Sequence, residues 1–160
     1  MGKRRVLFAS AAVVAAGIGV GGAVTANGRD ARFHVKINGA NESPDADLDG
    51  RGDARLEIDL DGSRVCLDAR FERTGTPNRG HIHRGDVDAN GPIVVAFFDL
   101  NTAAGAPDPL NDELEQDRVK DVCATATPEL LAEIVEFPER FYVNFHNSRY
   151  PGGAIRGQLG

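Results

Sequence analysis

The sequence predicts an all-β domain, a Greek-key-like antiparallel β-sandwich of about seven or eight strands with one short helix. Three observations carry that expectation. Apolar and polar residues alternate with period two from about residue 32 onward. Short runs of this kind are separated by Gly, Pro and Asp turn signals, and only one segment has helical apolar spacing. A length of 160 residues fits a single domain of this class.

Phe33 to Ile37 reads as the first strand. The strongest pattern follows. Ala54, Leu56, Ile58 and Leu60 alternate with Arg55, Glu57 and Asp59; after Asp61-Gly62, Val65, Leu67, Ala69 and Phe71 alternate with Arg64, Cys66, Asp68 and Arg70. This predicts a hairpin with one buried and one wet face, closed by a two-residue type I′ turn at Asp61-Gly62. Gly80 to Arg84 is a further strand. Ile93 to Phe98, an unbroken apolar run, reads as a central strand. Phe141, Val143 and Phe145 alternate with Tyr142, Asn144 and His146, and Pro151-Gly152-Gly153 turns the chain into a last strand over Ala154 to Leu159. The helix is expected after Thr127, a capping residue, with Pro128 in its first turn and Leu130, Leu131, Ile134 and Val135 as its apolar stripe; Pro138 ends it. Residues 99–121 read as a long acidic surface connection.

The N-terminus has a different character. Lys3-Arg4-Arg5 precedes an uncharged small and apolar stretch, Val6 to Val24, and Val24-Thr25-Ala26 suits cleavage after Ala26. Residues 1–26 therefore read as a secretory signal peptide and 27–160 as the mature domain. Left uncleaved, the same segment serves as a membrane anchor. In an oxidising compartment the two cysteines, Cys66 and Cys123, are expected to form a disulfide.

Net charge is −6, and loss of the three basic residues of the leader takes it to −9. So acidic a body is a poor partner for phosphate backbones, which argues against nucleic acid. No Gly-x-Ser-x-Gly elbow and no phosphate-cradling glycine loop occurs. Two groups of residues have ligand chemistry. His81 and His83 stand two apart on a strand and so share a face, and His146 lies on the polar side of its own strand; three imidazoles of this kind suit copper or zinc. Asp86, Asp88 and Asn90 match the first half of a calcium loop, but Phe97 stands where such a loop needs its bidentate Glu.

Several phrases occur in an order that resembles the CHRD domain: Asn38-Gly39-Ala40-Asn41-Glu42, Arg64-Val65-Cys66-Leu67-Asp68-Ala69, Gly80-His81-Ile82-His83-Arg84-Gly85, Tyr142-Val143-Asn144-Phe145-His146 and Gly152-Gly153-Ala154-Ile155-Arg156-Gly157-Gln158-Leu159. The resemblance spans about residues 32–159 and implies an extracellular β-sandwich, without implying a reaction. The expectation is an exported, non-enzymatic binding or structural module, secreted or at the cell envelope, whose partner is an extracellular protein or small ligand. The alternative is a copper- or zinc-binding metalloprotein on His81, His83 and His146, whose His-x-His pair resembles that of Cu/Zn superoxide dismutase. Calcium at the Asp86 loop is the remaining cofactor expectation.

Overall fold

The computed structural model describes residues 30–42, 46–100, 114–115 and 117–160. The leader segment 1–26 and most of the acidic connection lie outside them. The architecture is the expected one, all-β and antiparallel with one short helix. The strands are β1 (Asp30–Asn38), β2 (Arg51–Asp59), β3 (Arg64–Glu72), β4 (Arg79–Arg84), β5 (Ile93–Asp99), β6 (Leu114–Glu115), β7 (Arg118–Thr125), β8 (Phe141–His146) and β9 (Ile155–Gln158). They form one sheet in the order β5-β4-β8-β9-β1-β2-β3-β7-β6. The sheet curls until β5 lies against β7, giving a sandwich-like, nearly barrel-like body.

Alternation puts Phe33, Val35, Leu56, Ile58, Val65, Leu67 and Phe71 on the inner face. There they meet Ile82, Val143 and Phe145 from the other half of the sheet, with Phe71 and Phe145 edge to face at 4.9 Å. Helix α1 (Pro128–Glu136) buries Leu131 and Ile134 in the same core, and Thr127 Oγ1 accepts from Leu130 N at its start.

Four expectations need correction. The hairpin loop is Leu60 to Ser63, because Asp59 pairs with Arg64. Positive φ falls on Ser63 (51°) and Gly62 N donates to Asp59 Oδ1, so the Asp59 side chain organises a longer turn than type I′. Ile93–Asp99 is an edge strand, not a central one; the sheet curls against β7, and Val95, Phe97 and Phe98 are buried while Ile93 stays exposed. The acidic connection also contains β6 and the start of β7. Strand β7 escapes period-two reading because a bulge sets Lys120 and Asp121 opposite Asp68, spacing the inward residues Val119 and Val122 three apart. Finally, the histidine-bearing faces of β4 and β8, which strand alternation alone would place outward, are not wet. All six residues of β8 are buried, because loops fold over its non-core side.

Candidate metal centre

Strands β4 and β8 are hydrogen-bonded neighbours in the register Arg79↔His146, His81↔Asn144 and His83↔Tyr142. That register sends Ile82 and Val143 into the apolar core and His81, His83, Tyr142, Asn144 and His146 to the opposite side. Strand β9 extends this polar layer, with Arg156 opposite Asn144. The loop between β4 and β5 and the turn after β8 close over it. His81 is 3% exposed and His146 6%.

The three imidazoles converge: each offers a ring nitrogen, and these nitrogens all lie within 4.8 Å of one another. Their orientation is fixed from behind. His83 Nδ1 donates to Gly91 O at 2.9 Å and His146 Nδ1 donates to Pro151 O at 3.0 Å. Both rings therefore carry their proton on Nδ1 and hold their lone pair on Nε2. A backbone carbonyl on the far nitrogen is the usual support for a metal-ligating histidine. His83 Nε2 is buried without a hydrogen-bond partner. His81 Nδ1 approaches His146 Nε2 at 3.3 Å, the edge expected of a tetrahedron with metal–nitrogen bonds of about 2.0–2.1 Å. Closing the widest separation to that edge needs a shift of roughly 1.5 Å, within reach of rotamer adjustment.

The electrostatics suit neutral ligands. Burial lowers the His81 pKa to about 4, helped by neighbouring His146, His83 and Arg79. Burial likewise takes His146 to about 4 against its hydrogen bond to Pro151 O, and lowers His83. Imidazoles that stay unprotonated keep their lone pairs for a cation.

The surroundings hold residues outside the candidate ligand set. Tyr142 stacks on His83 at 4.9 Å and its hydroxyl accepts from Gly91 N. A Cβ on Gly91 would lie 1.5 Å from Arg84 O, so only glycine lets the loop return close enough to hold His83. The Arg156 guanidinium lies 4.6 Å over the Tyr142 ring and donates to Asn41 O, Val87 O, Ala89 O and Asn90 Oδ1. Asn144 Nδ2 donates to Glu42 Oε1. Glu42, Tyr142, Asn144 and Arg156 fall inside the phrases quoted above, yet no local signal says that the Glu42 and Arg156 segments meet.

Asp86, Asp88 and Asn90 sit exposed on the β4–β5 loop. The Val87 and Ala89 carbonyls and Asn90 Oδ1 are already engaged by the Arg156 guanidinium, a cation supplied by the chain itself. Among the described residues, His81, His83 and His146 are the group that converges as metal ligands would. The other arginines near the histidines also have protein partners. Arg84 forms a fork-to-fork pair with Glu133 on α1, and Arg79 Nη2 donates to Pro151 O at 2.6 Å.

Glu42 gives a prediction about pH. Burial raises its pKa to about 7, against the pull of Arg156 and Asn144. The folded state therefore holds a proton that the unfolded chain has lost, between about pH 4.5 and 7. Stability attributable to this residue falls as pH rises through that window. Glu42→Gln keeps the acceptor for Asn144 without the charge. It should equal the parent at pH 4.5 and exceed it at pH 8 by about 2 kcal/mol, allowing for partial exposure. Urea unfolding at the two pH values reads this, and a parent more stable than the variant at pH 8 would contradict it.

The family model described as CHRD domain matches residues 33–159, nearly all of the described chain. No curated protein and no solved structure matches the chain.

Proposed function

The chain belongs to the CHRD domain family, whose members are extracellular-type modules, and on that premise we propose that it is an exported binding module whose functional centre is a copper or zinc site on His81, His83 and His146. Export is supported by the basic-then-apolar segment 1–26 and by the Cys66–Cys123 disulfide, which suits an oxidising compartment. The observation that carries the metal reading is the convergence of three neutral imidazoles, two of which, His83 and His146, have their far nitrogens tied to backbone carbonyls. Three protein nitrogens leave a fourth position for water or for an atom of a bound partner, so the ion would serve as a point of attachment.

One contact favours a second reading. The 3.3 Å approach of His81 Nδ1 to His146 Nε2 is also a hydrogen bond, so the trio can hold the two strands together without a metal. The two readings separate on stoichiometry. The purified protein is loaded with copper or zinc and dialysed extensively, beside a His81→Ala/His83→Ala variant. Elemental analysis should return about one metal per chain for the parent and none for the variant. Retention by neither protein, with the variant merely less stable, would leave the trio as a structural cluster.

A further inference from the structure

A second surface lies on the far side of the molecule. The solvent faces of β1, β2, β3 and β7 form an open groove of about 540 Å³, which Ala69 and Val119, side chains turned inward, also line. The β7 bulge at Lys120 and Asp121 helps shape it; Asp121 takes φ 52° and its N–H donates to Asp68 Oδ1. Five basic residues line it: Lys36, Arg55, Arg70, Arg118 and Lys120. Among the described residues two acids, Asp53 and Asp68, line it with them. On a chain of net charge −6 this is a local reversal of sign.

The two acids do not neutralise the arginines beside them. Arg70 stands directly opposite Asp53, and Arg55 directly opposite Asp68. Asp53, however, is held by Lys36 and His34. Asp68 accepts from the Asp121 backbone. Both guanidiniums are exposed, and among the described residues neither has a carboxylate within ion-pairing distance. They are diagonal neighbours on paired strands, which sets their Cβ atoms roughly 7 Å apart. The row Lys36, Asp53, Arg70, Arg118 crosses four strands, a span of about 14 Å.

We infer that this groove binds an acidic polysaccharide, gripping successive carboxylate or sulfate groups along the chain. Arg55 and Arg70 supply forked donors that match such oxyanions. The spread of charge exceeds the reach of one small anion. Apart from His34 the described residues of the lining hold no aromatic ring on which bases could stack, so nucleic acid is disfavoured.

The test is fluorescence anisotropy with a labelled sulfated heparin oligosaccharide and, in parallel, an oligogalacturonate. It uses the parent, an Arg55→Ser/Arg70→Ser variant and an Arg32→Ser control. Arg32 is exposed and paired with Glu57 outside the groove. The parent should bind at least one of the two glycans at low salt, and the double variant should lose at least tenfold in affinity. The slope of log affinity against log salt should also shrink by about 2, one per lost contact. The control should match the parent. No binding of either glycan by the parent, equal loss in the control, or an unchanged double variant would each overturn the inference. So would single-stranded DNA or citrate competing as strongly as the glycan. Circular dichroism checks that the exposed substitutions leave the fold intact.

Discussion

Arg156→Ala should remove about 3–5 kcal/mol of stability, the usual cost of breaking a buried charged network by deleting one member. The side chain is 3% exposed. Its guanidinium ties three separate parts of the chain to β9: the 3-10 turn Gly39–Asn41 through Asn41 O, the β4–β5 loop through Val87 O, Ala89 O and Asn90 Oδ1, and β8 through the Tyr142 ring. Truncation leaves those oxygens without their donor and removes the cation that pulls the Glu42 pKa down. Arg156→Lys should recover only part of the loss, since one ammonium cannot serve donors arranged as a fork. The damage extends to the imidazole trio. The loop held by Arg156 includes Gly91, whose carbonyl fixes the His83 ring, so metal retention should weaken although no ligand has been touched. Urea unfolding gives the stability and elemental analysis the retention. A loss below about 1 kcal/mol would mean that the loop is held by its other contacts.

That network explains where sequence reading stops. The β2–β3 hairpin is legible because each strand has one apolar and one polar face, and a period of two survives without knowledge of its partner. The helix is legible because Thr127, Pro128 and Pro138 mark both of its ends locally. Strand β7 is not, because a bulge breaks its period, and the bulge exists only relative to β3. The three histidines were legible as ligand types on polar sides of strands. Their convergence was not, since it depends on β4 pairing with β8, strands far apart in the chain. Nor was their burial. Alternation says which side of a strand is polar, but whether that side meets water depends on loops that fold back across it. Glu42, Tyr142 and Arg156 belong to the buried layer for the same reason: each looks like a surface residue until the segments meet.

The disulfide sets the other large effect. Cys66 and Cys123 face each other directly across β3 and β7, with Cα atoms 4.0 Å apart, on the non-core side where Cys123 is exposed. The bond closes a long loop, the two cysteines being 57 residues apart. A loop of that size implies roughly 4 kcal/mol of stabilisation, through the entropy denied to the unfolded chain. Cys66→Ser/Cys123→Ser should therefore lower the melting temperature by about 10–20 °C for a domain of this size. Position makes the measurement clean. Neither sulfur lies in the apolar core, so serine at both sites opens no cavity, and the loss reports on the cross-link itself. Exposure of Cys123 also lets a mild thiol reach the bond in the folded protein. The reduced parent and the double serine variant should then melt within a few degrees of each other. Strand β7 has β3 on one side and only the two-residue β6 on the other, so its amides should be the first to lose hydrogen-exchange protection. If both proteins melt within about 3 °C of the oxidised parent, the β3–β7 ladder and the core packing of Val119 and Val122 hold the strand unaided, and the cross-link contributes little to the fold.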